Sequence, residues 1–307
     1  MRLGYFADGP WAHRALDLIA EDPTLQVAFI VPRYDVQDPI LREKALKLGI
    51  PFICHENVNS PDFIGQIEQY RADLFVSMSF NQILKKEIIK YPSAGFINCH
   101  AGALPFYRGR NPLNWVLING EEEFGITVHY VDEGIDTGDI IEQRLYPISV
   151  FDTYGTLLER AISECGNVLH LAIRKITTDN VEVKKQNSIH PVGTYFGRRT
   201  IGDEFIDFNW NAKRFFDFVR GITTPGPGAR CFLKDKEYAI WNCELIPYAP
   251  SYIATVGEVV GRCERGVVVK VGDSTVLVTS VSDVSEGKNG EQMVPQFPIG
   301  TRFTLRG

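Results

Sequence analysis

The chain has no apolar run approaching the roughly 18 residues a membrane-spanning helix requires, so no membrane segment or membrane partner is expected. The opening residues, MRLGYFADGPWAHRAL, reach Asp8, Gly9 and Pro10 before a long apolar segment can form; no secretory leader is read there, and a cytoplasmic protein is expected. No CxxC pair occurs among the cysteines at 54, 99, 165, 231, 243 and 263, which speaks against a zinc knuckle and for reduced, mostly buried thiols, with no metal. Positive charge is not in excess: 32 Lys and Arg face 38 Asp and Glu, and the net charge of -6 gives no pull toward nucleic acid. There is no GxGxxG after the first apolar segment, only ADGPW with a single Gly, so a nicotinamide cofactor is not expected. That loop could approach a substrate phosphate through Gly9, or could simply cap the helix that Pro10 begins. Internal repeats and low-complexity tracts are also absent.

What remains is ordinary globular material, 44% hydrophobic and 23% charged, in a chain of 307 residues that is comfortable for two domains. Strands are read at 2–7, 25–31, 50–54, 72–78 and 95–99, with helices between them at 10–20, 40–48, 61–71 and 83–90. The continuous apolar run LQVAFIV suits a parallel strand covered on both faces. The alternation predicts an α/β fold, a Rossmann-like, doubly wound, mostly parallel sheet, with ligands outside the carboxyl ends of the strands. Asp8, Gly9, Asn81, Asn98 and His100 would fall there. A hairpin-like pair at 125–131 and 140–147 precedes a long helix at 153–176, whose apolar residues recur at three and four. The segment 177–194 reads as a linker. A strand-like EFIDF, a helix AKRFFDFVRG and the turn TTPGPGA follow. Beyond them CFL, YAIWNCELI, ATVGEVVG, GVVVKVG, TVLVTSVS and TRFTL suggest a smaller antiparallel, barrel-like (OB-like) domain. The expected domains are 1–200, catalytic, and 201–307, β-rich; the second could supply a homodimer surface or only cover the first.

The stretch 96–112, FINCHAGALPFYRGRNP, combines signals that a plain core strand does not need. Asn98 and His100 alternate with Cys99, so both polar side chains leave a strand end on one face. Further on, GITVHYVDEGIDTGDII at 125–141 carries Asp136 in a Gly-interrupted turn. An amide, an imidazole and a carboxylate on loops at strand ends are the parts of an acyl-transfer site. His129 reads as a structural residue of a partly buried strand.

The stretch NCHAGALPFYRGRNPLNWVLINGEEEFGITVHYVDEGIDTGDII, with its NxH, LPxYRG and GxTxHxxxxxxDTG elements, resembles the formyltransferases that use 10-formyltetrahydrofolate. These include the methionyl-tRNA, glycinamide ribonucleotide and sugar-nucleotide enzymes. The resemblance continues through YFGRRTIGDEFIDF and RGITTPGPGA and ends near 245. It implies a formyl-folate-binding Rossmann-like domain followed by a barrel-like one. It also implies that Asn98, His100 and Asp136 are catalytic. Asn98 would donate to the oxyanion, an effect worth about 2.7–4 kcal/mol for one donor. His100 would take the amine proton or donate to the oxyanion, and Asp136 would orient the imidazole. For 10-formyltetrahydrofolate the resemblance implies a pterin pocket formed by Phe80, Ile83 and Leu84 and the loop Glu133, Gly134 and Ile135.

The acceptor is read from departures. The tRNA enzymes carry a long basic insertion after the second strand, whereas VPRYDVQDPI is short, with one Arg against two Asp. The RGRNPLNWVLINGE and FGRRT segments resemble the sugar-nucleotide enzymes that formylate a 4-amino sugar on UDP or dTDP. Arg198 and Arg199 could meet a diphosphate or form exposed ion pairs. Tyr107 and Phe196 could wall the sugar or base, or only pack, and Arg108 joins them as a substrate contact. The expected partner is thus a nucleotide-linked amino sugar, not nucleic acid. The alternatives are a methionyl-tRNA formyltransferase and a folate-binding protein without transferase activity.

Overall fold

The computed structural model describes residues 1–285 and 290–305. It divides into two compact units. The first comprises Met1–Arg110, Phe124–Tyr146 and Glu159–Phe196, and the second Asn111–Glu123, Pro147–Leu158 and Gly197–Gly307.

In chain order the elements up to the site are β1 (Arg2–Ala7), α1 (Gly9–Glu21), β2 (Gln26–Val31), α2 (Pro39–Lys47), α3 (Pro61–Glu68), β3 (Leu74–Met78), α4 (Lys86–Ile89) and β4 (Phe96–His100). Next come β5 (Arg108–Gly109), α5 (Pro112–Ile118), β6 (Glu123–Tyr130), β7 (Ile140–Pro147), α6 (Tyr154–Thr177), α7 (Gln186–Ile189) and β8 (Tyr195–Phe196). The sheet of the first unit runs β2-β1-β3-β4-β6-β7, and its pairings from β2 to β4 are parallel, as the alternation of strands and helices predicts. β6 then pairs antiparallel with β4. The apolar run of β1 explains why this strand lies inside the sheet: Leu3, Tyr5, Phe6 and Ala7 are fully buried. Phe6 is the hub of an aromatic cluster, with the rings of Phe29, Phe63, Phe75, Phe80 and Phe96 centred within 6.1 Å of its own.

Several expected boundaries move. Residues 50–54 form no full strand; Phe52 makes one bridge to Ile30, through Ile30 N–H to Pro51 O and Ile53 N–H to Ile30 O. Pro51 brings no N–H to a ladder, so the segment remains an edge contact. The helix expected at 83–90 shrinks to α4, because Asn59 accepts from Lys85 N–H and donates to Ile83 O ahead of it. The stretch 177–194 is not a featureless linker: it contains α7, and Gln186 is 3% exposed. EFIDF makes a single bridge, Phe205 to Arg230.

The second unit is built on α8 (Ala212–Ile222), β9 (Ala229–Leu233), β10 (Lys236–Leu245), β11 (Val259–Cys263), β12 (Gly266–Lys270) and β13 (Thr275–Asp283). The five antiparallel strands lie in the order β11-β12-β13-β10-β9. The segment TRFTL is no regular strand, yet it bonds both edges: Thr304 bridges Phe232 of β9, and Arg302 bridges Glu258 beside β11. It thereby joins the two edges into a barrel-like closure. Asn211 caps α8 by accepting from Arg214 N–H at 2.8 Å, and Phe215, Phe218, Val219 and Ile222 face the strands at helical spacing.

Cys99, Cys165, Cys231 and Cys243 are buried, and Cys54 and Cys263 are exposed. Burial pushes the Cys165, Cys231 and Cys243 thiols well above the ordinary range. A thiol-reactive disulfide reagent is therefore expected to titrate the exposed Cys54 and Cys263 in the native protein, Cys54 more slowly because burial raises its thiol too, and the rest only on unfolding. Among the described residues no helix is long and apolar enough to cross a membrane.

Candidate active site

β4 ends at the carboxyl edge of the sheet, where the period of two sends Asn98 and His100 out on one face and Cys99 to the other, against Cys165 O. The pairing with β6 sets Asn98 opposite His129 and His100 opposite Thr127, so two more polar residues share that face. After β6 the chain turns through Asp136, whose φ of +54° is the left-handed conformation that non-glycine residues rarely adopt. Gly138 lets the turn fold back, since a Cβ there would lie 1.8 Å from Tyr130 O.

The turn delivers the Asp136 carboxylate into the β4 face. Its Oδ2 lies 3.7 Å from His100 Nδ1 and accepts from Gly109 N–H at 2.8 Å. Its Oδ1 lies 3.5 Å from Asn98 Nδ2 and 3.4 Å from His129 Nε2. The amide, the imidazole and the carboxylate named from the sequence thus meet in space. Burial alone would raise the carboxyl pKa, but His100, His129 and the Gly109 N–H outweigh it and hold Asp136 well below the usual carboxylate range. His100 Nε2 donates to Tyr107 O at 2.7 Å, which leaves Nδ1 as the ring nitrogen facing the carboxylate. His129 Nδ1 donates to Tyr130 O at 2.7 Å, and its Nε2 stands 3.3 Å from Asn98 Nδ2. Gly102 admits this packing, because a Cβ there would sit 2.6 Å from His100 Nε2.

Thr127 fixes the loop after β4 by donating to Gly102 O and accepting from Leu104 N–H and Gln143 Nε2. Tyr107, at φ +57°, stacks on Phe196 with ring centroids 5.1 Å apart. The Arg108 guanidinium is engaged by Gln186 Oε1 and Val192 O. Gly9 opens α1 at φ +72°, beside a buried Asp8 whose carboxylate accepts from Arg33 N–H. Phe80 and Leu84 are half-buried against the aromatic cluster, while Ile83 and Ile135 are 79% and 52% exposed. Glu133 and Gly134 lie on an exposed turn pinned by Asp132, which accepts from Gly134 N–H and Thr137 Oγ1. Arg198 and Arg199 belong to the second unit; Arg198 is exposed, and Arg199 donates to Asp203 O.

Three participants escaped the sequence reading. His129 is buried, as a structural residue would be, yet it borders both Asn98 and Asp136. The alternation of Thr127 and His129 in ITVHY was the available signal, but the register with β4 was not readable. The Gly109 N–H and Gln186 left no signal at all in a polar stretch.

A doubly wound sheet that collects an amide, two imidazoles and a carboxylate at its strand ends is the architecture of a group-transferring enzyme. The chain belongs to the formyl transferase family: the formyl transferase model matches residues 17–173, and the formyl transferase C-terminal domain matches 200–291. It is a formyltransferase. A methionyl-tRNA formyltransferase of Desulforamulus reducens is 29% identical over 98% of this chain and 98% of its own length. One from Halothermothrix orenii is 30% identical over 91% of each. Among solved structures, WlaRD, a sugar 3N-formyl transferase in the presence of dTDP and 5-N-formyl-THF, has a TM-score of 0.69 at 20% identity, covering 93% of this chain and 98% of that one. The N-formyltransferase from Helicobacter canadensis in complex with folinic acid and dTDP-3-aminofucose has a TM-score of 0.66 at 21% identity, covering 90% and 98%.

Proposed function

We propose that this formyltransferase moves the formyl group of 10-formyltetrahydrofolate onto the amino group of a UDP- or dTDP-linked amino-deoxy sugar. In this reading the amine attacks the formyl carbon, the carbonyl oxygen becomes an oxyanion, and the bond from that carbon to N10 of the folate breaks. Asn98 Nδ2 donates to the oxyanion. His100 Nδ1, the ring nitrogen not tied to Tyr107 O, takes the amine proton and returns it to N10, while Asp136 stabilises the imidazolium so formed. Half-buried Phe80 and Leu84 with exposed Ile83 and Ile135 offer apolar surface suited to a flat pterin.

The acceptor assignment is carried by the loop at 31–40. Its one cation, Arg33, is spent inside the protein, donating from Nε and Nη2 to Ser79 O and from Nη2 to Ser79 Oγ. Asp38 caps α2 and pairs with His13, and Asp35 accepts from Asn81. That loop holds no cation free for a tRNA backbone, which needs several. In the second unit, Asn111, Asn114, Tyr154, Arg199, Glu204 and Pro225 help line a cavity of about 320 Å³. Arg199 Nε is shut off from solvent without a hydrogen-bond partner, and burial lowers the pKa of its guanidinium. Its Nη2 donates to Asp203 O, and Asp203 and Glu204 favour its charge; a diphosphate in the cavity would add a further charged acceptor for the guanidinium.

The second reading, a methionyl-tRNA acceptor, draws on the names of the two curated relatives at 29% and 30% identity. A coupled assay of tetrahydrofolate release decides between them, with dTDP- and UDP-linked 4-amino and 3-amino sugars set against charged initiator tRNA. Turnover is expected with a nucleotide sugar, the 4-amino sugars being the first choice. Arg199→Ala is expected to raise KM for that sugar about tenfold or more with kcat little changed. Rapid formylation of the tRNA, with none of the sugars consumed, would replace the assignment.

A further inference from the structure

We propose that Gln186 is a positioning residue for the transfer step, one buried amide that ties the turn presenting Asp136 to the strand whose N–H holds the same carboxylate. The inference rests on the catalytic role proposed for Asp136. Gln186 opens the short α7 and is 3% exposed. Its Nε2 donates to Asp136 O and to Gly138 O, each at 2.8 Å, on either side of Thr137. Its Oε1 accepts from Arg108 Nε at 3.0 Å and Nη2 at 2.6 Å. Two donors and two acceptor lone pairs are thus all in use.

The bonds close a ring. Arg108 and Gly109 form β5, which pairs with β8, and Gly109 N–H donates to Asp136 Oδ2. Gln186 therefore grips the Asp136 main chain on one side and, through Arg108, the donor of its carboxylate on the other. Asp136 stands at φ +54°, a conformation costing about 1–3 kcal/mol that persists only where its surroundings over-determine it. Gln186 supplies that over-determination. The position demands a neutral group that both donates and accepts. A carboxylate would face two carbonyl oxygens, a cation would face the guanidinium, and Asn is a methylene short. The bonds are made to the catalytic turn rather than to a core element, so their loss should appear in the chemical step and not in substrate affinity.

The test uses Gln186→Leu and Gln186→Glu in the full chain, with kcat, KM for both substrates, pH profiles and thermal melts. Gln186→Glu keeps an acceptor for Arg108 and serves where Gln186→Leu does not fold. The expected result is a kcat about 10- to 100-fold lower, KM values within about threefold of wild type, and a kcat pH profile displaced from that of wild type. Wild-type kcat and an unmoved pH profile in folded Gln186→Glu would overturn the role. Asp136→Asn separates the two levels of the argument: if it stays active, the catalytic reading of Asp136 fails. If it is inactive while Gln186→Glu turns over normally, only the role of Gln186 fails.

Discussion

His100→Ala is expected to lower turnover about 100-fold or more in a protein that still folds. The substitution removes Nδ1, the His100 ring nitrogen that faces the Asp136 carboxylate, while Nε2 is held by Tyr107 O. The second imidazole at the site, His129, reaches it from the neighbouring strand, with Nε2 directed at Asn98 Nδ2 and Asp136 Oδ1 rather than Oδ2. The structural penalty is bounded. Tyr107 O loses its partner, which costs about 1–3 kcal/mol, against a stability of roughly 5–15 kcal/mol for a typical domain. The loop keeps its other ties, from Thr127 to Gly102 and Leu104 and from Thr194 Oγ1 to Tyr107 N–H. Single-turnover formyl transfer, read with circular dichroism and with added imidazole, separates the two effects. Partial rescue by imidazole of a folded, slow variant is the expected pattern; near-normal turnover without it would remove His100 as the base.

How much of this was legible depends on the range of the interaction. Asn98 and His100 were readable as a pair because a strand places residues two apart on one face whatever surrounds it. The parallel sheet was readable because continuous apolar runs such as QVAFIV have no other comfortable home. IPFIC was misread because its composition suits a strand while Pro51 withholds a donor and leaves it on the edge of β2. The neighbourhood of His129 depends on the register between β4 and β6, which the chain sets only when the sheet assembles. Gln186 lies in a stretch rich in Lys, Asn and Gln, where its composition says solvent, and only long-range backbone bonds make it buried. The left-handed conformation at Tyr107 has no composition signal either, since a bulky ring rarely adopts it. The chemistry-bearing side chains were thus visible, and the backbone that aims them was not.

Asp136→Asn is expected to lower turnover by about 10²- to 10⁴-fold and to change how stability depends on pH. The two effects share one cause, a negative charge held between two imidazoles and a backbone N–H. The substituted amide keeps an oxygen for the Gly109 N–H but cannot stabilise the imidazolium that forms when the amine proton reaches His100. It also puts an N–H or a neutral oxygen where the rings face a carboxylate. In the wild type, burial raises the Asp136 pKa and the two imidazoles with the Gly109 N–H lower it further, for a net depression. A carboxyl whose folded pKa is depressed contributes stability that is fully present above its unfolded value, about 3.9, and is lost as pH falls toward the folded value. The amide of the variant has nothing to titrate. In urea unfolding the wild type is therefore expected to exceed Asp136→Asn in stability at pH 7, by a margin that narrows as the pH is taken below about 4. A margin independent of pH would mean that the charge of the carboxylate is not what stabilises the fold, and the loss of turnover would then need a cause other than that charge.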